Sequence, residues 1–506
     1  MDVLSIIPTH LPSQGDRFRA SFVCRHWRRT LLQHAALWSH LILSKGEAYV
    51  KTLLERAKGS PLTVVASRKV PVDAIPLLHP HIKRITNLEL ANSRWADIQR
   101  FSDIDPGPLP LLHTLVIDAV QEEVDHELIT SPSHPLFSGA VDLKEFCLHS
   151  MSSPYLSHFV FPNLTSFEFS VTEFWWPWQF NGSELLDFLE ASPMLQVVDM
   201  TIAASLSLPQ ERVVVLRNVE SFCLVTRDGG PDHKFATYIS CPSVKHASLA
   251  NIRKKQRNYV ILLEPFPDPD SCDRILHQYM RSPIEEVMVQ IKTNSYETIA
   301  CSLTFLSPDS TVKLRFEVTG DGDQWKTSFA GNYRNIFCEA SRTIRDLPLL
   351  ASIKRLHMCG IITPFGGRSV NVESSHVALI RSLRSLEELT LCRCSLELCL
   401  IPFLGDPEIH ELKEPIVYPP LRVLTIFNPL VPLPEYVVTG LVGLARVQFG
   451  LGAPFKRVAI HMSHPPAAME EMLRPWVDVV DFRGPDEAYI MELWSRHVCI
   501  GLRVVR

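Results

Sequence analysis

The sequence predicts an α/β fold in two parts: a short helical domain over residues 1–45 and an irregular α/β solenoid over residues 46–506. Three observations carry this prediction. A pattern of apolar, two residues, apolar, one residue, apolar recurs along most of the chain. Many copies follow a proline turn signal, as in FPNL, SPML, CPSV and YPPL. The opening segment lacks that pattern and reads as helices.

Taken in order, Asp2-Val3-Leu4-Ser5-Ile6-Ile7 is a short apolar helix that Pro8 kinks. Leu11 to Asp16 is a loop ending on Asp16, a suitable N-cap. Arg17 to about Gln33 is one helix without Gly or Pro, and His34 to Leu41 forms a last short helix or turn. At about 3.6 residues per turn, Ala20, Val23, Cys24, Trp27 and Leu31 share one stripe, with Phe18, Phe22 and Leu32 roughly opposite. Arg19, His26, Arg28 and Arg29 lie between them. A unit this small is hard pressed to bury two apolar stripes against itself. One stripe packs on the flanking helices through Leu4, Ile7 and Leu37; the other meets the following domain or another protein.

The repeated pattern begins at Ile85-x-x-Leu88-x-Leu90 and returns at Leu112, Leu143, Leu164, Leu195 and Val219. Further copies start at Val244, Ile284, Ile353, Leu386, Leu421 and Phe455. Spacing runs from about 21 to about 40 residues or more, and the longest gaps hide a degenerate copy such as Leu314-x-Phe316-x-Val318. The alternating tail of each copy is strand-like, sending every second side chain into one core. Ser183 to Leu189, Ser271 to Met280, Ser375 to Leu386 and Pro466 to Trp476 are helical candidates between strands. The copy LEELTLCRCSL, residues 386–396, fits the leucine-rich repeat template in full, which implies a horseshoe-type solenoid.

With 46% hydrophobic and 21% charged residues, a chain of 506 residues has ample core and is not disordered overall. A net charge of -5 argues against nucleic acid as partner. The N-terminus has no signal-peptide pattern, and no run of about 18 apolar residues predicts a membrane span. The 12 cysteines lie mostly in apolar strings, as buried thiols of a reducing compartment would. A cytoplasmic and/or nuclear location is expected.

Val23-Cys24-Arg25-His26-Trp27-Arg28, followed by Leu37-Trp38, resembles the F-box. The arrangement is similar to the F-box proteins of mushroom-forming fungi, in which a box precedes a divergent leucine-rich-type region. The resemblance implies a three-helix unit that docks on the Skp-family adaptor and, through it, a cullin, in an SCF-type ubiquitin ligase. The solenoid would hold an unknown protein substrate. On matching positions it implies adaptor contacts or internal packing for Leu4, Ile7, Leu11, Pro12, Phe18, Val23, Cys24, Trp27, Leu37 and Trp38. Trp27 and Trp38 would be the hot spots, because buried Trp carries much interface energy. The family's box opens with Leu-Pro and an acidic residue; this sequence starts inside the first helix, so that turn is missing. The other reading of the segment is a helical cap on a repeat scaffold with no ligase link. A membrane-surface helix fits less well, because the basic residues surround the helix.

No catalytic residue, cofactor or metal is expected. Cys392, Cys394 and Cys399 lack a second pair at ligand spacing, and Cys394 fits the repeat's turn-stabilising slot. His461 and His464 read as turn residues, and Asp321-Gly322-Asp323 as a loop without the remaining calcium ligands. Arg253-Lys254-Lys255 reads as a solvated loop. The phosphate-loop, dinucleotide, nucleophile-elbow and zinc-protease motifs are missing. Trp175, Trp176 and Trp178 are either a target-recognition patch or a cover for the solenoid's edge.

Overall fold

The computed structural model describes residues 14–20, 22–67, 74–103, 109–119, 136–150, 156–171, 179–203, 205–207, 212–227, 233–255, 269–294, 298–320, 340, 344–345, 347, 352–360, 379, 382–392, 394, 419–427, 435–462 and 467–483. The fold is mixed α/β. The chain divides into two compact units within the repeat array, one ending at Val219 and one beginning at Glu220, with 229–231 belonging to the first.

The first unit opens with helices α1 (Gln14–Ala20) and α2 (Arg25–Gln33), where the sequence predicts one helix. The break lies at Phe22 and Val23, whose N–H groups donate to Arg19 O (3.0 Å) and Ala20 O (3.2 Å) in a turn. Aromatic and β-branched residues lose rotamer freedom in a helix, so this is a weak point of the pattern. Cys24 then caps α2 in an extended conformation (φ -158°, ψ 169°), its sulfur accepting from Trp27 N at 3.4 Å. A 3₁₀ turn at Ala35–Trp38 leads into β1 (His40–Ile42) and α3 (Glu47–Ala57). Gly46 (φ 94°) precedes α3 in a conformation that a side chain would strain.

The strands that follow are β2 (Leu62–Ser67), β3 (Ile85–Ser93), β4 (Thr114–Ala119), β5 (Glu145–Ser150) and β6 (Ser166–Val171). Between β3 and β4 lies α4 (Trp95–Asp103). Next come β7 (Gln179–Asn181), α5 (Gly182–Glu190), β8 (Val197–Ile202), β9 (Ser205–Ser207) and β10 (Val214–Val215). β1, β2, β3, β4, β5, β6 and β8 pair in that order, all parallel, while β7 pairs with β9. Strand pairing therefore starts at His40, inside the region assigned to the helical domain.

Register explains why the sequence motif works. Leu88, Leu115, Phe146, Phe167 and Val198 stand in one row, and Leu90, Ile117, Leu148, Phe169 and Met200 in the next. All ten are buried, each worth about 1.5–3 kcal/mol of transfer free energy for the larger side chains. The first apolar position of each motif ends a turn: Leu164 N donates to Phe161 O (3.2 Å), and Leu195 N to Ser192 O (3.3 Å). Those are the FPNL and SPML signals, and in the first Asn163 Nδ2 also reaches back to Val141 O (2.9 Å). Helix α5 closes the core with Phe188, whose ring lies 4.6 Å from Phe167.

The second unit contains β11 (Ser221–Arg227), β12 (Ile239–Ser240), β13 (His246–Lys255) and α6 (Pro269–Tyr279). Strands β14 (Glu286–Asn294), β15 (Thr298–Leu306) and β16 (Thr311–Gly320) follow, then β17 (Arg355–Cys359), β18 (Glu388–Cys392) and β19 (Val423–Phe427). The chain continues through α7 (Glu435–Gly450), β20 (Phe455–His461), α8 (Ala467–Leu473) and β21 (Val477–Arg483). The repeat rows persist: Val287, Leu356, Leu389, Leu424 and Val458 align, as do Val289, Met358, Leu391, Ile426 and Ile460.

One insertion breaks the parallel order of the array. β13 pairs with β16, not with β14, and β15 runs antiparallel between β16 and β14; β14 then pairs with β17. The degenerate copy at Leu314 is thus a full strand, and β15 holds a further fit to the pattern, Ala300-x-x-Leu303-x-Phe305. Helix α7 is likewise absent from the sequence reading, although Leu441, Leu444, Ala445 and Gln448 form a buried stripe at helical spacing. Half of the candidate Ser375 to Leu386 falls outside the described residues.

Candidate functional site

Two surfaces bear on function: the N-terminal turn and the outer sheet face of the first unit. At the turn, Phe22 is 74% and Val23 67% exposed. Cys24 is exposed too, and Trp27, one turn into α2, is half-buried. Arg28 stands over the Phe22 ring at 6.0 Å. Two large apolar side chains on a tight turn are not explained by the unit's own packing.

The structure separates the residues matched to the box. Leu4, Ile7, Leu11 and Pro12 lie outside the described residues, and Phe18 lies on α1. Val23 and Cys24 are on the surface. Leu37 and Trp38 are not surface contacts; both are buried, which corrects the reading of Trp38 as an interface hot spot. Trp38 Nε1 donates to Leu31 O at 2.9 Å, and Arg56 of α3 stacks on its ring at 4.8 Å. Trp38 therefore fastens α2 to α3 and the start of the ladder. Of the two expected hot spots, Trp27 alone retains exposed surface. Trp175, Trp176 and Trp178 lie outside the described residues.

On the outer face of the first unit's sheet, the residue between the last two apolar positions of each motif points away from the core. Glu89, Glu168 and Asp199 occupy that position on β3, β6 and β8. Asp118 on β4 and Glu145 on β5 stand in the flanking rows. His149 Nε2 lies 3.8 Å from Glu168 Oε1, and Thr114 Oγ1 donates to Glu145 Oε2 at 3.3 Å. Cys147 Sγ donates to Glu168 Oε2 at 3.7 Å. Burial, then the charge and hydrogen bond of Glu168, push the Cys147 thiol up to about 12. A thiol held protonated is not a nucleophile at neutral pH, so this constellation does not read as a thiol catalyst.

The second unit uses its outer face differently. Glu286 lies between Arg355 Nε (3.0 Å) and His357 Nε2 (3.2 Å) and is nearly buried. Along the next row Cys359, Cys392, Phe427 and His461 are all buried. His461 is thus no turn residue: it ends β20 and stacks on Phe427 with centroids 4.3 Å apart. Cys394 donates to Met358 O (3.1 Å), tying the turn after β18 to β17, a structural role. Arg253, Lys254 and Lys255 belong to the end of β13, in register with β16, and not to a loop. His464, Cys399 and Asp321-Gly322-Asp323 lie outside the described residues.

Among the described residues no group of three or more His, Cys, Asp or Glu is placed to hold a metal ion, and no helix is long and apolar enough to cross a membrane. The acidic face is the feature the sequence reading missed, although its signal is plain in LEL (88–90), FEF (167–169) and VDM (198–200). No family model matches the chain, and no curated protein matches it in sequence.

Proposed function

We propose that the chain is a non-enzymatic substrate-recognition subunit of an SCF-type ubiquitin ligase, its N-terminal helices forming a three-helix F-box and its strand ladders an irregular leucine-rich-type solenoid. The box binds a Skp-family adaptor, and through it a cullin; the solenoid holds a target protein. The observation that carries this reading is the exposed Phe22-Val23 turn beside Trp27, apolar and directly ahead of the repeat array. Interfaces concentrate their energy in such aromatic and aliphatic anchors. Chemistry would come from other subunits.

The second reading, a repeat scaffold whose N-terminal helices are only a cap, is favoured by two observations. Leu37 and Trp38 are buried, and β1 already belongs to the ladder. Co-purification with a Skp-family adaptor separates the two. Phe22→Glu with Val23→Glu should abolish adaptor binding while leaving the melting temperature unchanged, since neither side chain is buried. Equal adaptor binding by wild type and double variant, or none by either at micromolar concentration, sinks the ligase reading.

A further inference from the structure

We infer that the outer sheet face of the first unit docks an extended, Lys- and Arg-bearing segment of a protein partner. This deepens the reading of the ladder as a target-holding surface and does not depend on the adaptor. The face is open: Asp118, His149 and Ser170 in its outermost row are half-exposed. Its counterparts in the second unit, Cys359, Cys392, Phe427 and His461, are buried.

The chemistry of the occupant follows from the rows. Each of β3, β4, β5, β6 and β8 places one carboxylate outward, and none of their described outward positions holds Lys or Arg. Glu168 and Asp199 stand directly opposite each other in register, an arrangement that costs stability when both are charged. Burial raises the Cys147 thiol first, and the charges of Glu168 and Glu145 add to it. Between the acids lie apolar positions, Val116 in the centre and Val197, 43% exposed, at one end. A segment that alternates basic and apolar residues matches both features: its cations meet the carboxylates and its apolar side chains cover the valines. Neighbouring strands are about 4.8 Å apart, so a segment crossing five strands meets the acids of successive strands with long, flexible side chains.

The test uses the full chain and two synthetic peptides, one alternating Lys with Val and its counterpart with Glu in place of Lys, read by fluorescence anisotropy. The Lys peptide should bind, more weakly as salt rises, and the Glu peptide should not. Combining Glu89→Gln, Glu168→Gln and Asp199→Asn should weaken the Lys peptide about tenfold, the scale expected of three screened surface charges acting together. Glu388→Gln on the other unit's outer face, which removes a negative charge but leaves the first unit's face intact, should not. The melting temperature of the triple variant, read alongside, separates lost binding from lost folding, since Glu168 also accepts from Cys147 and faces His149. Equal Lys-peptide binding by the triple variant and wild type overturns the inference, as does calcium saturating the face without displacement by peptide. Adaptor pull-down with the wild-type chain keeps the two proposals apart: no Lys-peptide binding with adaptor binding present condemns the docking face alone, and the reverse condemns the ligase reading alone.

Discussion

Replacing Phe146 with alanine opens a hole at the centre of the first unit's core. The ring is fully buried and touches four others, with centroids 5.1 Å from Phe159, 5.1 Å from Phe161, 5.8 Å from Phe167 and 5.9 Å from Phe188. Loss of a buried phenyl from water-excluded surroundings costs about 1.5–3 kcal/mol in transfer free energy. Each aromatic pair adds about 0.5–1.5 kcal/mol beyond that, less than additively, and the void adds its own term. The total should be about 3–5 kcal/mol, as for other buried Phe→Ala changes. For a cooperative unit of this size that is a fall of about 6–20 °C in melting temperature. Urea unfolding followed by circular dichroism gives the free energy directly. Phe146→Leu, which fills most of the volume, should cost about 1–1.5 kcal/mol. A loss below about 1 kcal/mol for the alanine variant would refute the idea that successive repeats share one aromatic core.

Two further outcomes are expected. Trp38→Phe removes the bond from Nε1 to Leu31 O, which keeps only the His34 N–H, and leaves a void where the indole was wider; a loss of about 1–3 kcal/mol in chemical denaturation is expected, and no change would mean that the indole does not help hold α2. Cys147 should resist alkylation while exposed Cys24 reacts, as peptide mass spectrometry will show. Because the folded thiol is raised from 9.0 to about 12, it contributes stability that is complete below pH 9 and lost as the pH climbs toward 12. Glu168→Gln should move the onset of Cys147 alkylation to lower pH, and an unchanged onset would show that the carboxylate plays no part.

Much of the ladder was legible in the sequence because its physics is local. Period-two alternation places Leu88 and Leu90 on one face, and the turn before each strand needs only a few residues such as Phe161-Pro162-Asn163. Strand order was not legible, because nothing local says that β13 will choose β16 over β14. Pairing is a long-range decision between segments with similar apolar rows. At the N-terminus, helical periodicity suggested a continuous helix, and a cysteine cap overrode it. Cysteine is not among the usual caps, so the signal at Cys24 carried little weight. Trp38 shows the complementary limit: composition marks a tryptophan as valuable but does not say whether its partner is the same chain or another.

The crossed order of β13, β16, β15, β14 and β17 also governs how the second unit comes off the ribosome. A strictly sequential array can lengthen one repeat at a time, each new strand landing on an edge already formed. Here β14, on emerging, does not extend β13; it waits for β15 and β16 to fold back as a meander before that edge is filled. The pairing of β13 with β16 closes a long loop, and such closure raises contact order and slows folding. Until then β13 presents an unpaired edge to its surroundings, and such an edge is a template for pairing with other chains.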